Sequence, residues 1–292
     1  MKRKPPGEAA LVEFTRRRFS PPDWIVRLHS LGVDIERADG PVKGEWVRPR
    51  GAVNGRPTMY YLHGGGYISG SAASCRPITA TLARRWGIRA FSLDYRLAPE
   101  HHFPAGLDDA LAGYRWLLAG GVDPQSITIA GDSAGGGMAL ALALRLRDSG
   151  ERLPSCLICL SPWTDMTGTS ASIQANAKRD PMFVAQDIDR YAAAYLGDQS
   201  RENPLASPLL ANLAGLPPIL IQVGRNEVLL DDARGLHDRV RAAGGSSELH
   251  VYANVPHGWH YGAPFVPETR QALSEVAEFI RRHFPAPNRR PR

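Results

Sequence analysis

From about residue 58 onward, short apolar runs alternate with longer stretches in which apolar residues recur three and four apart. Residues 58–63, 88–94, 126–132, 155–161, 218–224 and 248–252 read as strands, most of them apolar on both faces. That pattern suits a parallel sheet with helices on both sides, because neither pleat then meets water. Residues 105–118, about 134–147, 230–243 and 267–283 carry the spacing of helices with one buried face. Strands alternating with helices predict an α/β domain.

Two stretches break this rhythm. Residues 1 to about 40 show an amphipathic helical pattern and no strand. Residues 164 to about 208 are also helical, include Phe183, Tyr191 and Tyr195, and fall between the fourth and fifth predicted strands. Open α/β sheets bind ligands outside the carboxyl ends of their strands, so a helical insertion there is placed as a cap. The expected organisation is an N-terminal cap segment (1–40), a first core portion (41–163), a helical cap insertion (164–208) and a second core portion (209–292).

Composition changes this picture little. The chain has 292 residues, 43% hydrophobic and 22% charged, with 35 Lys and Arg against 29 acids. The resulting +6 raises the question of nucleic acid, but much of the excess sits at the ends, in Lys2-Arg3-Lys4 and in a tail holding Arg281, Arg282, Arg289, Arg290 and Arg292. The middle interleaves no aromatic and basic residues, so the ends read as solvated tails and no nucleic-acid partner is expected. Cys75, Cys156 and Cys159 are too few and too odd in number for a disulfide framework. The latter two spell C-x-x-C, but inside an apolar run and with no second pair at metal spacing, so they read as small buried residues. Pro5, Pro6, Glu8 and Glu13 interrupt any leader-like apolar run, and the most apolar helix is too short to span a bilayer. A cytoplasmic protein with no membrane insertion is the expectation.

Candidate chemistry centres on Gly131-Asp132-Ser133-Ala134-Gly135, a G-x-S-x-G sequence between a predicted strand and a predicted helix. In that context it is a nucleophile elbow, a sharp turn that holds a serine hydroxyl clear of its neighbours. His63-Gly64-Gly65-Gly66-Tyr67 follows another strand, and consecutive glycines let backbone amides converge on one point, as a developing oxyanion requires. A general base should follow the serine in the chain. His63, His101 and His102 precede it, His237 and His250 fall inside elements, and His283 lies near the end. His257 and His260 remain, and His257, flanked by Pro256 and Gly258 after a strand, is the better placed. Glu227, Asp231 and Asp232 are candidates for the carboxylate that orients it. The two aspartates open a predicted helix, where the dipole already favours them, which leaves Glu227 without a structural explanation.

Taken together these motifs resemble the hormone-sensitive-lipase-like bacterial family of α/β-hydrolase carboxylesterases. The likeness runs from about Tyr60 to Phe284 and includes Asp94-Tyr-Arg-Leu-Ala-Pro-Glu-His101, Leu160-Ser-Pro-Trp-Thr-Asp165 and Val255-Pro-His-Gly258 as well as the two glycine motifs. It implies an α/β-hydrolase fold: a mostly parallel sheet of about eight strands flanked by helices, with a small cap built from the N-terminus and the inserted helices. It further implies a catalytic Ser133, His257 and carboxylate, with an oxyanion hole from the amides of Gly65, Gly66 and Ala134. Many members place an aspartate at the head of D-P-L-x-D; here Glu227-Val-Leu-Leu-Asp231 stands there, so Glu227 takes the role with Asp231 in reserve. The resemblance implies short- to medium-chain carboxylic esters as substrates, no metal or organic cofactor, and frequent homodimers. Trp163, Phe183 and Tyr191 are candidate substrate-binding residues, with the N-terminal aromatics Phe14, Phe19 and Trp24. Lactone or amide hydrolysis would use the same residues, and a non-catalytic receptor of this fold would lack the histidine.

Overall fold

The computed structural model describes residues 7–51, 56–183, 185–263 and 265–284. The basic ends, Lys2-Arg3-Lys4 and the tail with Arg289, Arg290 and Arg292, lie outside the described residues. Eight strands form one sheet: β1 (Val33–Asp39), β2 (Lys43–Pro49), β3 (Thr58–Leu62), β4 (Arg89–Leu93), β5 (Ile127–Asp132), β6 (Cys156–Leu160), β7 (Ile219–Gly224) and β8 (Ser247–Tyr252). Their order is β1-β2-β4-β3-β5-β6-β7-β8. β1 and β2 pair antiparallel, as do β2 and β4, and every other neighbouring pair is parallel.

Alternation along β3 shows how the sheet is covered. Tyr60 and Leu62 face one side with α4 (Ala105–Ala119), α5 (Ala134–Asp148) and α8 (Leu230–Ala242). Met59 and Tyr61 face the other with α3 (Arg76–Trp86) and α9 (Pro267–His283). Both sides of each central strand are therefore apolar, as a covered parallel sheet requires. Cys156 and Cys159 sit within β6, where burial pushes their thiols up to about 11 and about 12. They pack as small apolar residues.

Four further helices lie outside these two layers. α1 (Glu8–Phe19) and α2 (Asp23–Ser30) come from the N-terminus; α6 (Ala171–Ala175) and α7 (Ala185–Leu196) come from the insertion between β6 and β7. Arg16 fastens α1 to the core: its Nε donates to Ile68 O (2.8 Å), one terminal nitrogen donates to Ala98 O (3.1 Å), and both reach Glu100.

Three features depart from the expectation. Residues 33–39, expected to lie in a strand-free cap segment, form edge strand β1, so the N-terminal helical stretch ends at Ser30. β1 has little apolar surface of its own and is held by its antiparallel register with β2. Strand β2 and helix α3 were likewise absent from the predicted elements. Glu45 in β2 is buried and looks polar in sequence, but Arg76 at the start of α3 meets it with two hydrogen bonds of 2.7 and 2.6 Å.

Candidate active site

β5 ends at Asp132 and α5 begins at Ala134, leaving Ser133 alone to turn the chain. Its φ of 53° and ψ of −121° lie where non-glycine residues are uncommon, a strain of about 1–3 kcal/mol that the surroundings must hold. They do so from β6: Ser133 N donates to Leu160 O (2.8 Å), and Trp163 N donates to Ser133 O (3.0 Å). Ser133 lines a cavity of about 500 Å³.

The glycine loop reaches the same cavity from β3. Gly64 N donates to Asp132 Oδ1 (2.9 Å), so this amide is already committed. Gly65 and Gly66 line the cavity with φ of 119° and 64°. A Cβ at Gly65 would stand 2.3 Å from Ser69 O, and one at Gly66 would stand 2.8 Å from the Tyr191 ring. Both positions therefore need glycine. Among the described residues, the amides of Gly65, Gly66 and Ala134 donate to no protein acceptor. Ala134 is itself fully buried at the first turn of α5.

His257 sits in the turn after β8, with Gly258 at φ 73° behind it. Its Nδ1 lies 2.6 Å from Glu227 Oε2, and both side chains are almost sealed from solvent. An Nδ1–H donor to the carboxylate leaves Nε2 free of that bond. Burial lowers the imidazole pKa, but the charge and hydrogen bond of Glu227 outweigh it and the net direction is upward. The Phe183 ring stands edge-on to His257 at 4.9 Å.

Glu227 is held by three further contacts. Oε1 accepts from Gly224 N (2.5 Å) and from Ser161 Oγ (2.8 Å), and Asn176 Nδ2 holds its carbonyl at 2.9 Å. Beside it, the fully buried Asp180 accepts from Val228 N through Oδ2 and from Met182 and Phe183 amides through Oδ1. Asp231 points elsewhere, accepting from Ser172 N (2.8 Å). Asp232 accepts from the amides of Thr164 and Asp165 and from Ser170 Oγ, and burial pushes its carboxyl up to about 7. His260, the competing histidine, is buried against Gln222 Oε1 (3.1 Å), and burial drives its pKa down to about 3.

The expected pocket residues divide. Phe183, Tyr191, Phe19 and Trp24 line the cavity. Trp163 does not: it is a core residue whose Nε1 donates to Asp165 O and whose ring packs by Tyr67, because the chain after β6 turns under α5. Phe14 is likewise outside the lining. Sequence reading missed Ser161, Asn176, Asp180 and the cavity-lining Leu28 and Phe265. Of these only Ser161 carried a signal, its place inside Leu160-Ser-Pro-Trp-Thr-Asp165.

Asp132 links the parts. Its Oδ1 accepts from Tyr61 Oη and Gly64 N, and its Oδ2 accepts from Tyr261 Oη, all at 2.9 Å. The elbow, the glycine loop and the turn that carries His257 thereby meet at one carboxylate.

Comparison with known proteins identifies the family. Residues 59–261 match a family described by the alpha/beta hydrolase fold. An acetyl-hydrolase of Streptomyces hygroscopicus is 42% identical over 242 residues, covering 83% of this chain and 80% of its own. A putative acetyl-hydrolase, LipR, of Mycobacterium tuberculosis is 35% identical over 268 residues, covering 91% and 83%. A crystal structure of an esterase from the bacterial hormone-sensitive lipase family superposes with a TM-score of 0.85 at 42% identity, covering 97% of this chain and 100% of that one. The chain belongs to the α/β-hydrolase fold family, within its bacterial hormone-sensitive-lipase group of esterases.

Proposed function

We propose that this protein is a serine carboxylesterase working through Ser133, His257 and Glu227. The observation that carries the reading is the buried 2.6 Å contact between His257 and Glu227 on the wall of the cavity that also receives Ser133. In this reading His257 Nε2 takes the Ser133 proton as Oγ attacks the ester carbonyl. The amides of Gly65, Gly66 and Ala134 stabilise the oxyanion; removing one such donor typically costs about 10²–10³ in rate. His257 then protonates the leaving alcohol, and water repeats the sequence on the acyl-enzyme. Glu227 keeps Nδ1 protonated and stabilises the imidazolium without accepting the proton itself.

A cavity of about 500 Å³ falls in the lower part of the range for small-molecule sites, which suits short to medium acyl groups. The relative named an acetyl-hydrolase supports the short end. The test is initial rates on nitrophenyl esters from acetate to palmitate, wild type beside Ser133→Ala. Turnover that peaks at short or middle chains and vanishes in the variant is expected; turnover that survives Ser133→Ala would sink the mechanism.

A further inference from the structure

α2 carries apolar residues on its outward face as well as its inward one. Trp24 and Leu28, four apart, and Leu31, three further on, form one stripe, and that stripe faces outward. Trp24 is 66% exposed and Leu31 62%. From the other side of the cavity mouth comes Phe265, 67% exposed, its neighbour Val266 also standing out. Trp24, Leu28 and Phe265 line the mouth itself, while Leu28, Leu31 and Phe265 line an adjoining depression with His29, Arg84 and Arg85. The His29 and Phe265 rings meet edge-on at 6.5 Å, so the two hollows share one continuous apolar rim. Isolated exposed apolar residues are ordinary on a protein surface, but a contiguous patch of this kind marks an interaction site.

Charge decides what fits there. Arg18 lines the cavity, Arg84 and Arg85 line the depression, and Arg27 projects from α2. Among the described residues none of these four has an acidic partner; Arg84 instead donates to the carbonyls of His29 and Leu31. Asp23 and Glu268, the acids nearest Trp24 and Phe265 in sequence, leave the face net positive. A second copy of the chain would bring like charges together across a two-fold axis and would close both mouths. An anionic lipid surface satisfies every element at once: apolar side chains enter the headgroup boundary, guanidiniums meet phosphates, and the mouth opens onto the lipid.

We propose that the face built by Trp24, Leu28, Leu31 and Phe265, with Arg27, Arg84 and Arg85, docks this protein onto an anionic phospholipid surface. The cavity then opens toward the lipid, and esters dissolved there reach Ser133 without crossing water. That last consequence rests on the esterase reading; the docking itself does not.

The experiment is flotation of the full-length protein with vesicles of phosphatidylcholine alone and of phosphatidylcholine mixed with phosphatidylglycerol, at low and raised salt. Binding to the anionic vesicles that weakens with salt is expected, with little binding to the neutral ones. The double variant Leu31→Asp/Arg85→Glu, at positions that do not line the catalytic cavity, is expected to lose at least about tenfold in vesicle affinity. Its turnover of soluble nitrophenyl acetate reports that it is folded. Ser133→Ala protein is expected to float like the parent, so failure of the esterase reading leaves this test standing. Absence of binding, equal binding to both vesicle types, or a double variant that floats like the parent overturns the proposal, the last outcome assigning the binding to the basic termini instead.

Discussion

Ser161 Oγ donates to Glu227 Oε1 at 2.8 Å, on the opposite oxygen from the one that holds His257. Ser161 itself has a φ of 47° and its amide donates to Gln222 O, so the backbone is bent to aim this hydroxyl. A hydrogen bond to a buried charge is worth about 1.5–3 kcal/mol. Ser161→Ala is therefore expected to lower kcat about tenfold with little change in KM. Without this donor more charge remains on the carboxylate, which favours the imidazolium, so the acid limb of the pH–rate profile should move to higher pH. An unchanged profile would make Ser161 merely structural.

Glu227→Gln removes the largest of the charges that raise the pKa of His257, leaving only the smaller pull of Asp180 and Asp132 against burial, which lowers it. In the proposed mechanism the neutral imidazole is the active form, so the acid limb should shift to lower pH while kcat/KM falls by roughly 10³–10⁴. Asp231→Asn should change kcat by no more than a few-fold, because that carboxylate serves Ser172 N. Side-by-side pH–rate profiles of the two variants check both statements, and the reverse order of effects would reassign the acid.

Gly66→Ala combines an unfavourable φ with a contact on the Tyr191 ring. Relief of the strained φ shifts the Gly66 amide, so kcat is expected to fall about a hundredfold. Single-turnover measurement of the acylation step locates the loss; a normal acylation rate would place the oxyanion elsewhere.

Arg16→Ala releases α1 from Ile68 O, Ala98 O and Glu100, whose carboxyl Arg16 holds down at about 2. Thr15 Oγ1 lies 3.0 Å from Tyr191 Oη, so the same helix also steadies a cavity wall. The expected result is a raised KM, faster proteolytic cleavage within residues 8–30, and a nearly unchanged Tm. A large fall in Tm would show that the cap supports the core.

The central strands were readable because burial on both faces leaves little room for polar residues, as β5 and β6 illustrate. β1 was not readable, since Asp34, Glu36 and Asp39 face solvent and only pairing with β2 makes that segment a strand. Glu45 concealed β2, because its partner Arg76 lies 31 positions along the chain. The site divides in the same way. Ser133 and His257 stand in short glycine-flanked turns, Gly131-Asp-Ser-Ala-Gly135 and Pro256-His-Gly258, that are visible in the sequence itself. Of the supports of Glu227, Asn176 comes from another loop and leaves no local pattern, and Ser161 is marked only by its place in Leu160-Ser-Pro-Trp-Thr-Asp165. Trp163 misled for the converse reason, since an aromatic side chain after a strand looks the same whether it faces a cavity or the core.

The three-way junction at Asp132 has a mechanical consequence. With Tyr61, Gly64 and Tyr261 all fastened to one buried carboxylate, the floor of the site moves as a single block. No one loop of it can drift without dragging the others. Room for a bulky guest then has to be found in the walls that this junction does not hold, among them α1, α2 and the segment carrying Phe183 and Tyr191. The molecule thus pairs a stiff anvil, cross-tied through one carboxylate, with walls held only by looser clasps.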